Sequence, residues 1–318
     1  MEAMDKPVTP ASRRGLTSPA DGARPARVSL IIPVYRMETE LRQCLECIAR
    51  QTYGDFQVVV VDNEPAADGG VSAGIGIVIS ECAAAGLRVR GIGCRQPGSY
   101  HARNAGVLNS QSELIAFTDA DCQPLPEWLE AAIEAWDTHT RPGVVSGPVA
   151  LYPADQRSIS LYEMRFSYLG LVNGRGDSFV TANWLIAREI LTELGGFDAS
   201  LRSGADVDLS RRINAAGHHL IYAPNAVVRH PTRTTLEELL RKHRRTVGGA
   251  WNRTPRRLRT LRVLRHVLKR GWSRYRDLRR ARASEAELVT GLLKVQRAIT
   301  AAEIRETIRL ACGDEPER

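Results

Sequence analysis

Two aspartates separated by one small residue are the side chains of this sequence most clearly suited to a chemical role. Asp119 and Asp121 directly follow an apolar run at residues 114–117, which predicts a strand. Side chains alternate along an extended chain, so both carboxylates can point the same way while Ala120 faces away. Mg²⁺ and Mn²⁺ prefer such carboxylate oxygens and often share them with phosphates. The alternative is a solvated loop, because so short a pattern also recurs by chance.

The segments around this pair alternate between strand and helix patterns. Apolar strands are predicted at residues 28–34, 56–62, 87–92 and 114–117, with helices at 38–51, 71–85 and 99–110. This order predicts a doubly wound α/β fold, in which a mostly parallel sheet carries helices on both faces. Ligands of such sheets bind at the carboxyl ends of the strands. Tyr35, Asp62 and the aspartate pair all stand at such ends, so we expect them to share one site.

Charge is distributed unevenly along the chain. Residues 241–282 contain 17 Lys and Arg but one acid, whereas the remaining residues contain 27 basic and 35 acidic groups. The first 26 residues are rich in proline and arginine and poor in apolar runs, which predicts a disordered leader. The chain therefore has a mildly acidic body followed by a basic segment, and the overall positive charge describes that segment only.

Six motifs together point to a known family. They are the runs at residues 30–35, 61–63 and 102–106, the acidic triplet at 119–121, and the segments at 194–198 and 204–212. In this order they resemble the family 2 glycosyltransferases of the GT-A fold, over residues 27–232. The resemblance implies an inverting, metal-dependent transfer of a sugar from a nucleotide diphosphate sugar, with UDP-sugars favoured, to an acceptor hydroxyl. The P-loop motif and the dinucleotide fingerprint are both missing, which disfavours P-loop and NAD enzymes.

The resemblance implies a nucleotide-sugar site on the first strands. Pro33, Tyr35 and Asp62 would frame the nucleoside, with the Asp62 carboxylate accepting from the base or the ribose. Arg103 would bind the diphosphate or help to hold the base, because a planar guanidinium suits either task. A surface arginine is the alternative for Arg103.

The resemblance also implies a metal site. Asp119 would contact the ribose or the metal, and Asp121 would bind Mn²⁺ or Mg²⁺ bridging the two phosphates. His230 is a further candidate ligand of the metal or the diphosphate, because relatives often carry a histidine after the last strand. A purely structural histidine is the alternative.

Two more aspartates, Asp206 and Asp208, are implied as catalytic residues. The acceptor hydroxyl needs a base to remove its proton, and the resemblance assigns this role to Asp206. Ala205 stands where relatives usually have Glu, so either Asp208 shares the work or the rate is modest. The alternative is that both aspartates stabilise the start of a helix.

The segment before a predicted helix at residues 186–194 is implied to line the sugar and acceptor site. Asn183 and Trp184 belong to this segment, and Trp184 would stack on a sugar face. Burial in the core is the alternative for Trp184, because its large apolar area alone would explain it.

Residues 233–318 form a basic helical extension beyond the resemblance. Apolar residues recur three or four apart in it, which predicts an amphipathic helix; they are Leu258, Leu261, Leu264, Leu268, Trp272, Tyr275 and Leu278. Through residues 241–282 such a helix would lie on an anionic membrane surface and bring the enzyme to a lipid-linked acceptor or glycan. The alternative is packing on the acidic body. The sequence lacks a secretion signal and a long apolar run, so we expect a cytoplasmic protein, peripheral at the inner face of the cell membrane.

Three rival functions remain open at this point. A nucleotidyltransferase acting on a sugar phosphate would use the same carboxylates and metal, but would leave the region around Asp206 without a role. A nucleic-acid-binding protein would use the Arg-rich tail, although its few aromatics and the acidic body disfavour this. The third alternative is a glycosyltransferase-like protein that has lost its activity, because Ala205 replaces the usual Glu. The retained Asp206 argues against this alternative.

Overall fold

The computed structural model describes residues 24–167, 179–201, 203–280 and 286–316. Most of the predicted leader, residues 1–23, lies outside these ranges. Ala26, at its end, is already buried against the body. The packed structure therefore begins slightly before residue 27.

Among the described residues, ten strands form two sheets. They are β1 (Val28–Val34), β2 (Phe56–Asp62), β3 (Val89–Gly93), β4 (Leu114–Phe117), β5 (Gln123–Pro124), β6 (Pro142–Ser146), β7 (Val149–Tyr152), β8 (Trp184–Ala187), β9 (His219–Tyr222) and β10 (Val228–Pro231). The larger sheet has the order β3-β2-β1-β4-β8-β6-β9, and β5-β10-β7 form the smaller one. In the larger sheet only β8 runs antiparallel to its neighbours, so the mostly parallel sheet is confirmed.

Helices cover both faces of the larger sheet. They are α1 (Glu38–Ile48), α2 (Ala73–Ala84), α3 (Ser99–Leu108), α4 (Trp128–Thr138), α5 (Ser158–Phe166), α6 (Arg188–Glu193), α7 (Ala205–Ala215), α8 (Leu236–Arg253), α9 (Arg259–Arg279) and α10 (Ala286–Ala311). Leu30 and Ile32 of β1 pack with α1, α2 and α4, whereas Ile31 packs on the other face with α3, α6 and α7. Apolar side chains on both faces of one strand produce this layered α/β fold, as predicted.

The helix predicted at residues 186–194 is wrong at its start. Trp184–Ala187 form β8, which pairs with β4 on one side and β6 on the other, and the helix covers only Arg188–Glu193. A short apolar run is ambiguous between strand and helix, and pairing on both edges decided for the strand.

The last three helices form the predicted helical extension, and α5 joins them. Two apolar clusters hold this bundle together, one around Tyr162 and Ile299 and one around Val247 and Val267. Thr235 begins α8 with a capping box, in which its side chain and that of Glu238 accept each other's backbone N–H groups. Among the described helices, not one is long and apolar enough to cross a bilayer.

Candidate active site

The carboxyl ends of the parallel strands meet at one edge of the sheet, which we call the rim. In the register of β1 and β2, Val34 lies beside Asp62, and β4 ends next to β1 just before Asp119. Tyr35 and Asp121 follow the same strand ends. The structure therefore brings the predicted polar residues to one side of the fold.

Four possible ligand groups meet at the rim: Asp119, Asp121, Cys122 and His230, whose donor atoms all lie within 4.8 Å of one another. Pairing of β5 with β10 places His230 here, because Gln123 lies opposite Arg229. His230 Nε2 lies 3.5 Å from an oxygen of Asp121, and Nδ1 lies 2.6 Å from the carbonyl oxygen of Pro231. A carbonyl only accepts, so Nδ1 carries a proton and donates it to this oxygen, and Nε2 is the ring nitrogen that faces Asp121.

The charges of this cluster are poorly balanced within the chain. Burial raises the pKa of Asp121, and His230 opposes this while Asp119 adds to it. Burial also raises the pKa of the Cys122 thiol well above its usual value, so this sulfur stays protonated and is a poor ligand for a hard cation. Asp119, Asp121 and His230 remain as a set of oxygen and nitrogen donors that fits a divalent cation.

Arg103 lies beside the cluster and is almost completely buried. It forms an ion pair with Asp119, and its guanidinium lies 5.6 Å from the centre of the Tyr100 ring. Within the described residues, Arg103 Nε is buried and has no hydrogen-bond acceptor. A buried donor without a partner is costly, so this atom is suited to an acceptor from a ligand.

Asp206 faces the same region from the first turn of α7. Gly204, in a left-handed conformation (φ 83°), precedes the helix, and its N–H donates to the Tyr100 hydroxyl at 3.1 Å. Burial raises the pKa of Asp206, while the N–H of Val207 and then Arg103 and Arg253 lower it. A carboxylate with a raised pKa is suited to accept a proton.

Asp208 has a different environment. Its carboxylate accepts from Arg212 Nε at 2.9 Å, one helical turn away. The same guanidinium donates to the carbonyls of Leu194 and Gly196. Asp208 therefore helps to hold α7 against the segment at residues 194–198, and its shared catalytic role stays a prediction.

Two of the family motifs are joined to each other by Asn104. Its side-chain amide donates to the carbonyl of Phe197 at 2.8 Å and accepts the N–H of the same residue at 3.0 Å. The Phe197 ring contacts Tyr100, Phe117 and Trp184, with centroid distances of 5.4 to 5.8 Å. These residues fix α3, and with it Arg103, relative to the start of α7.

The predicted nucleoside contacts differ in accessibility. Tyr35 is 52% exposed and Pro33 is half-buried, so both can meet a ligand at the rim. Asp62 is 1% exposed, and its two oxygens accept the backbone N–H groups of Glu64 and Ser72, both at 2.8 Å. Asp62 therefore holds the loop that follows β2, and a contact with a nucleoside would require this loop to open.

Asn183 and Trp184 are not at the rim surface. Asn183 is buried; it accepts from Trp128 Nε1 at 2.8 Å and donates to the carbonyl of Ala226 at 2.7 Å. Trp184 is 0% exposed and packs in the core. The sugar contact predicted for Trp184 does not fit this position, because its ring is covered by protein, whereas the core alternative does.

The sequence analysis missed the part that helix α8 contributes. Lys242 of α8 binds Glu163 at 2.6 Å, and Arg253 donates to the carbonyl of Ser203 at 2.9 Å, so both halves of the helix are fixed to the body. Arg245 lies on the helix between these anchors. The side chain of Arg245 is exposed; loss of surrounding water and Arg233 lower the pKa of its guanidinium, while Tyr100 and Asp119 raise it. The pattern of the extension alone did not indicate which of its many arginines interacts electrostatically with the rim.

Comparisons with known sequences give a consistent result. Residues 29–195 match the profile described as Glycosyl transferase family 2, and residues 114–280 match Glycosyl transferase family group 2. The chain is 31% identical over 229 residues to the glycosyltransferase AglE of Haloferax volcanii, covering 70% of this chain and 72% of that protein. It is 33% identical over 151 residues to the pre-mycofactocin glycosyltransferase of Mycobacterium tuberculosis, covering 44% of this chain and 32% of that protein.

Solved structures with the same fold include a mannosyltransferase. The mannosyltransferase PcManGT from Pyrobaculum calidifontis, in complex with GDP-Man and Mn²⁺, aligns with a TM-score of 0.61 at 20% identity, over 94% of this chain and 92% of that one. TarS of S. aureus, in complex with UDP-GlcNAc, aligns with a TM-score of 0.52 at 17% identity, over 91% and 92%. At such identities the likeness concerns the fold.

Proposed function

This chain belongs to glycosyl transferase family 2, and we propose that it transfers a sugar from a nucleotide diphosphate sugar to an acceptor hydroxyl with inversion at the anomeric carbon. It is a glycosyltransferase, as its sequence predicted. The main support for the proposal is one continuous group of side chains. Asp119, Asp121 and His230 form a cluster, and Arg103 connects it to Asp206 by pairing with Asp119 and acting on the charge of Asp206.

On the donor side, Asp119, Asp121 and His230 would hold a divalent cation, Mn²⁺ or Mg²⁺. When bound, such a cation neutralises negative charge on the departing diphosphate. The two carboxylates suit either ion, and the imidazole favours Mn²⁺. Arg103 would donate from Nε to a donor oxygen, and Tyr35 and Pro33 would contact the nucleoside at the rim, with UDP as the favoured carrier.

Arg245 would add a positive charge from the extension on the donor side. It lies between the Lys242 and Arg253 anchors of α8, and it acts electrostatically on the same region as Asp119 and Tyr100. Since the guanidinium stays charged at any accessible pH, it would attract the diphosphate before the reaction begins.

On the acceptor side, Asp206 would be the base. Its carboxylate takes the proton of the acceptor hydroxyl while the hydroxyl oxygen attacks the anomeric carbon from the side opposite the diphosphate. Direct attack gives a β-linked product from an α-linked donor. The acceptor would be a glycan or a lipid-linked molecule, and a location in the cytoplasm at the inner face of the cell membrane stays a prediction.

The proposal is tested by release of nucleoside diphosphate from UDP-, GDP- and dTDP-sugars, with Mn²⁺, Mg²⁺ or EDTA. We expect one donor to be used only with metal, and Asp206→Asn to lower turnover about 10³-fold. Asp208→Asn is the matched control on the same helix turn, and we expect it to lower stability more than turnover.

The pH profile separates a base from a structural carboxylate. The raised pKa of Asp206 predicts that turnover falls as the pH drops through a value above the usual aspartate range, because the protonated acid cannot accept a proton. The groups acting on it are Tyr100 and Arg103 of α3 and Arg253 of α8. Cleavage of a nucleoside triphosphate, or equal turnover in EDTA, would contradict the proposal in favour of the nucleotidyltransferase or a metal-free reaction.

A further inference from the structure

Within the described part of the chain, one row of apolar side chains on α9 and at the residue before it remains exposed. Leu258, Leu261, Leu268 and Trp272 are 58%, 60%, 48% and 66% exposed, and we call them the α9 strip. Residues Val263, Val267, Gly271 and Leu278 form the buried face of the helix, packed within the helical extension. The predicted amphipathic helix is therefore present, but it packs on neighbouring helices and has a second apolar surface that the other described residues do not cover.

A row of basic residues borders the α9 strip. Successive residues of a helix are about 100° apart, which places Arg265, Lys269 and Arg276 along one side of Leu268 and Trp272. Within the described residues, these three side chains make no ion pair with an acid. The only acid of α9 is Asp277. The basic row is thus available to an anionic partner.

The aromatic residues of α9 fit a boundary between water and lipid. Trp272 stacks on Tyr275, with ring centroids 5.9 Å apart and an angle of 22° between the planes. Trp and Tyr combine a large apolar ring with one polar group, so they are favoured where an apolar phase meets water. An exposed tryptophan in line with exposed leucines is uncommon on a protein that has no partner there.

We propose that the α9 strip and its basic row bind the surface of an anionic lipid bilayer. The helix lies parallel to the surface, with the leucines and Trp272 in the headgroup region and the arginines on lipid phosphates. This binding goes beyond the transfer reaction and does not depend on it.

Two other partners fit the surface less well. A nucleic acid would use the basic row but gives no role to the exposed leucines. A second copy of the chain, related by a twofold axis through the strip, would bring two basic rows together, which like charges oppose.

The test is sedimentation with vesicles, without nucleotide sugar or metal. We expect the intact chain to bind equimolar phosphatidylcholine and phosphatidylglycerol at least about tenfold more tightly than phosphatidylcholine alone, and less tightly as salt is added. Leu268→Ser with Trp272→Ser should lower binding about tenfold or more. Leu108→Ser, at a leucine of α3 that is 85% exposed, is the matched control and should bind like the intact chain.

Charge and insertion are separated by two further measurements. Arg265→Gln with Lys269→Gln should lower binding roughly tenfold or more, whereas the exposed body residues changed in Arg50→Gln with Arg88→Gln should have little effect. Brominated lipid should quench tryptophan fluorescence in the intact chain and quench it much less in Trp272→Phe. All substituted residues are exposed, so circular dichroism should show unchanged melting.

Several results would overturn the proposal. They are absence of binding to anionic vesicles, unchanged binding by the strip variant, and preferential binding of RNA that the vesicles do not displace. Conversion of a dimer to a monomer by the strip variant, measured by light scattering, would assign the strip to self-association instead.

Discussion

Buried carboxyl groups have opposite pKa shifts at the rim and at the junction of α5 with the helical extension. At the rim, burial and Asp119 raise the pKa of Asp121, and His230 only partly opposes them. Where α5 meets the extension, burial would raise the pKa of Glu163, but Lys242 and Arg233 hold it at about 2. Glu163 accepts from both cations at 2.6 Å and from the backbone N–H of Arg233 at 2.7 Å.

The difference separates a charge that stabilises the fold from one that costs stability. Glu163 joins α5 to Lys242 of α8 and to Arg233, which lies two residues after β10, so its pairing fixes the extension to the body. Among the described residues Asp121 lacks an equivalent pair of cations, and such an incompletely compensated carboxylate is typical of functional sites.

Removal of the rim carboxylate should have the largest effect on turnover. We expect Asp121→Ala to lower turnover about 10³-fold, because the donor diphosphate would lose the cation proposed for this site, while the free energy of unfolding in EDTA stays equal or rises. Asp137→Ala, which breaks an ion pair with Arg27, is the control and should leave turnover intact. Turnover within tenfold of the intact protein would remove Asp121 from the site.

Substitution of Glu163, whose charge is compensated, should lower the stability of the fold rather than act first on turnover. Glu163→Gln leaves Lys242 and Arg233 facing a neutral amide, so we expect the free energy of unfolding at neutral pH to fall by about 3 kcal/mol in urea denaturation. Glu189→Gln, at an exposed position, is the control and should leave the free energy of unfolding almost unchanged.

The ion pairs of Glu163 also predict how the stability of the fold changes with pH. The folded pKa of Glu163 is about 2 against an ordinary 4.5, so its stabilisation is complete above about pH 4.5 and is lost as the pH falls towards 2. The difference between Glu163→Gln and the intact protein should therefore narrow over that range. A difference that does not depend on pH would mean that packing rather than charge is responsible.

The smallest effect is expected for Arg245 of α8, which belongs to the extension and is proposed to act on the donor at the rim. Arg245→Gln should raise the KM for the nucleotide sugar about tenfold and change kcat little, because the guanidinium attracts the diphosphate before the reaction. Arg241→Gln, at an exposed position on the same helix, is the control. A change in kcat alone, or an equal effect of both substitutions, would place Arg245 outside the donor site.

Much of the body followed from local pattern. The bounds of β1, β2 and β4 matched their predicted ranges because buried parallel strands have continuous apolar runs and polar ends. The start of the helix at residues 186–194 was wrong, since the choice between strand and helix for Trp184 depended on pairing with β4 and β6.

The sequence by itself determined the family, the order of strands and helices, and the residue types able to bind a metal and a diphosphate, because each follows from local spacing. Only the tertiary structure decided which acids keep an incompletely balanced charge. Asp208 is paired with Arg212 and Glu163 with Lys242, whereas Asp121 and Asp206 have raised pKa values. Burial and the position of distant cations set that balance, and both depend on contacts between segments far apart in the chain.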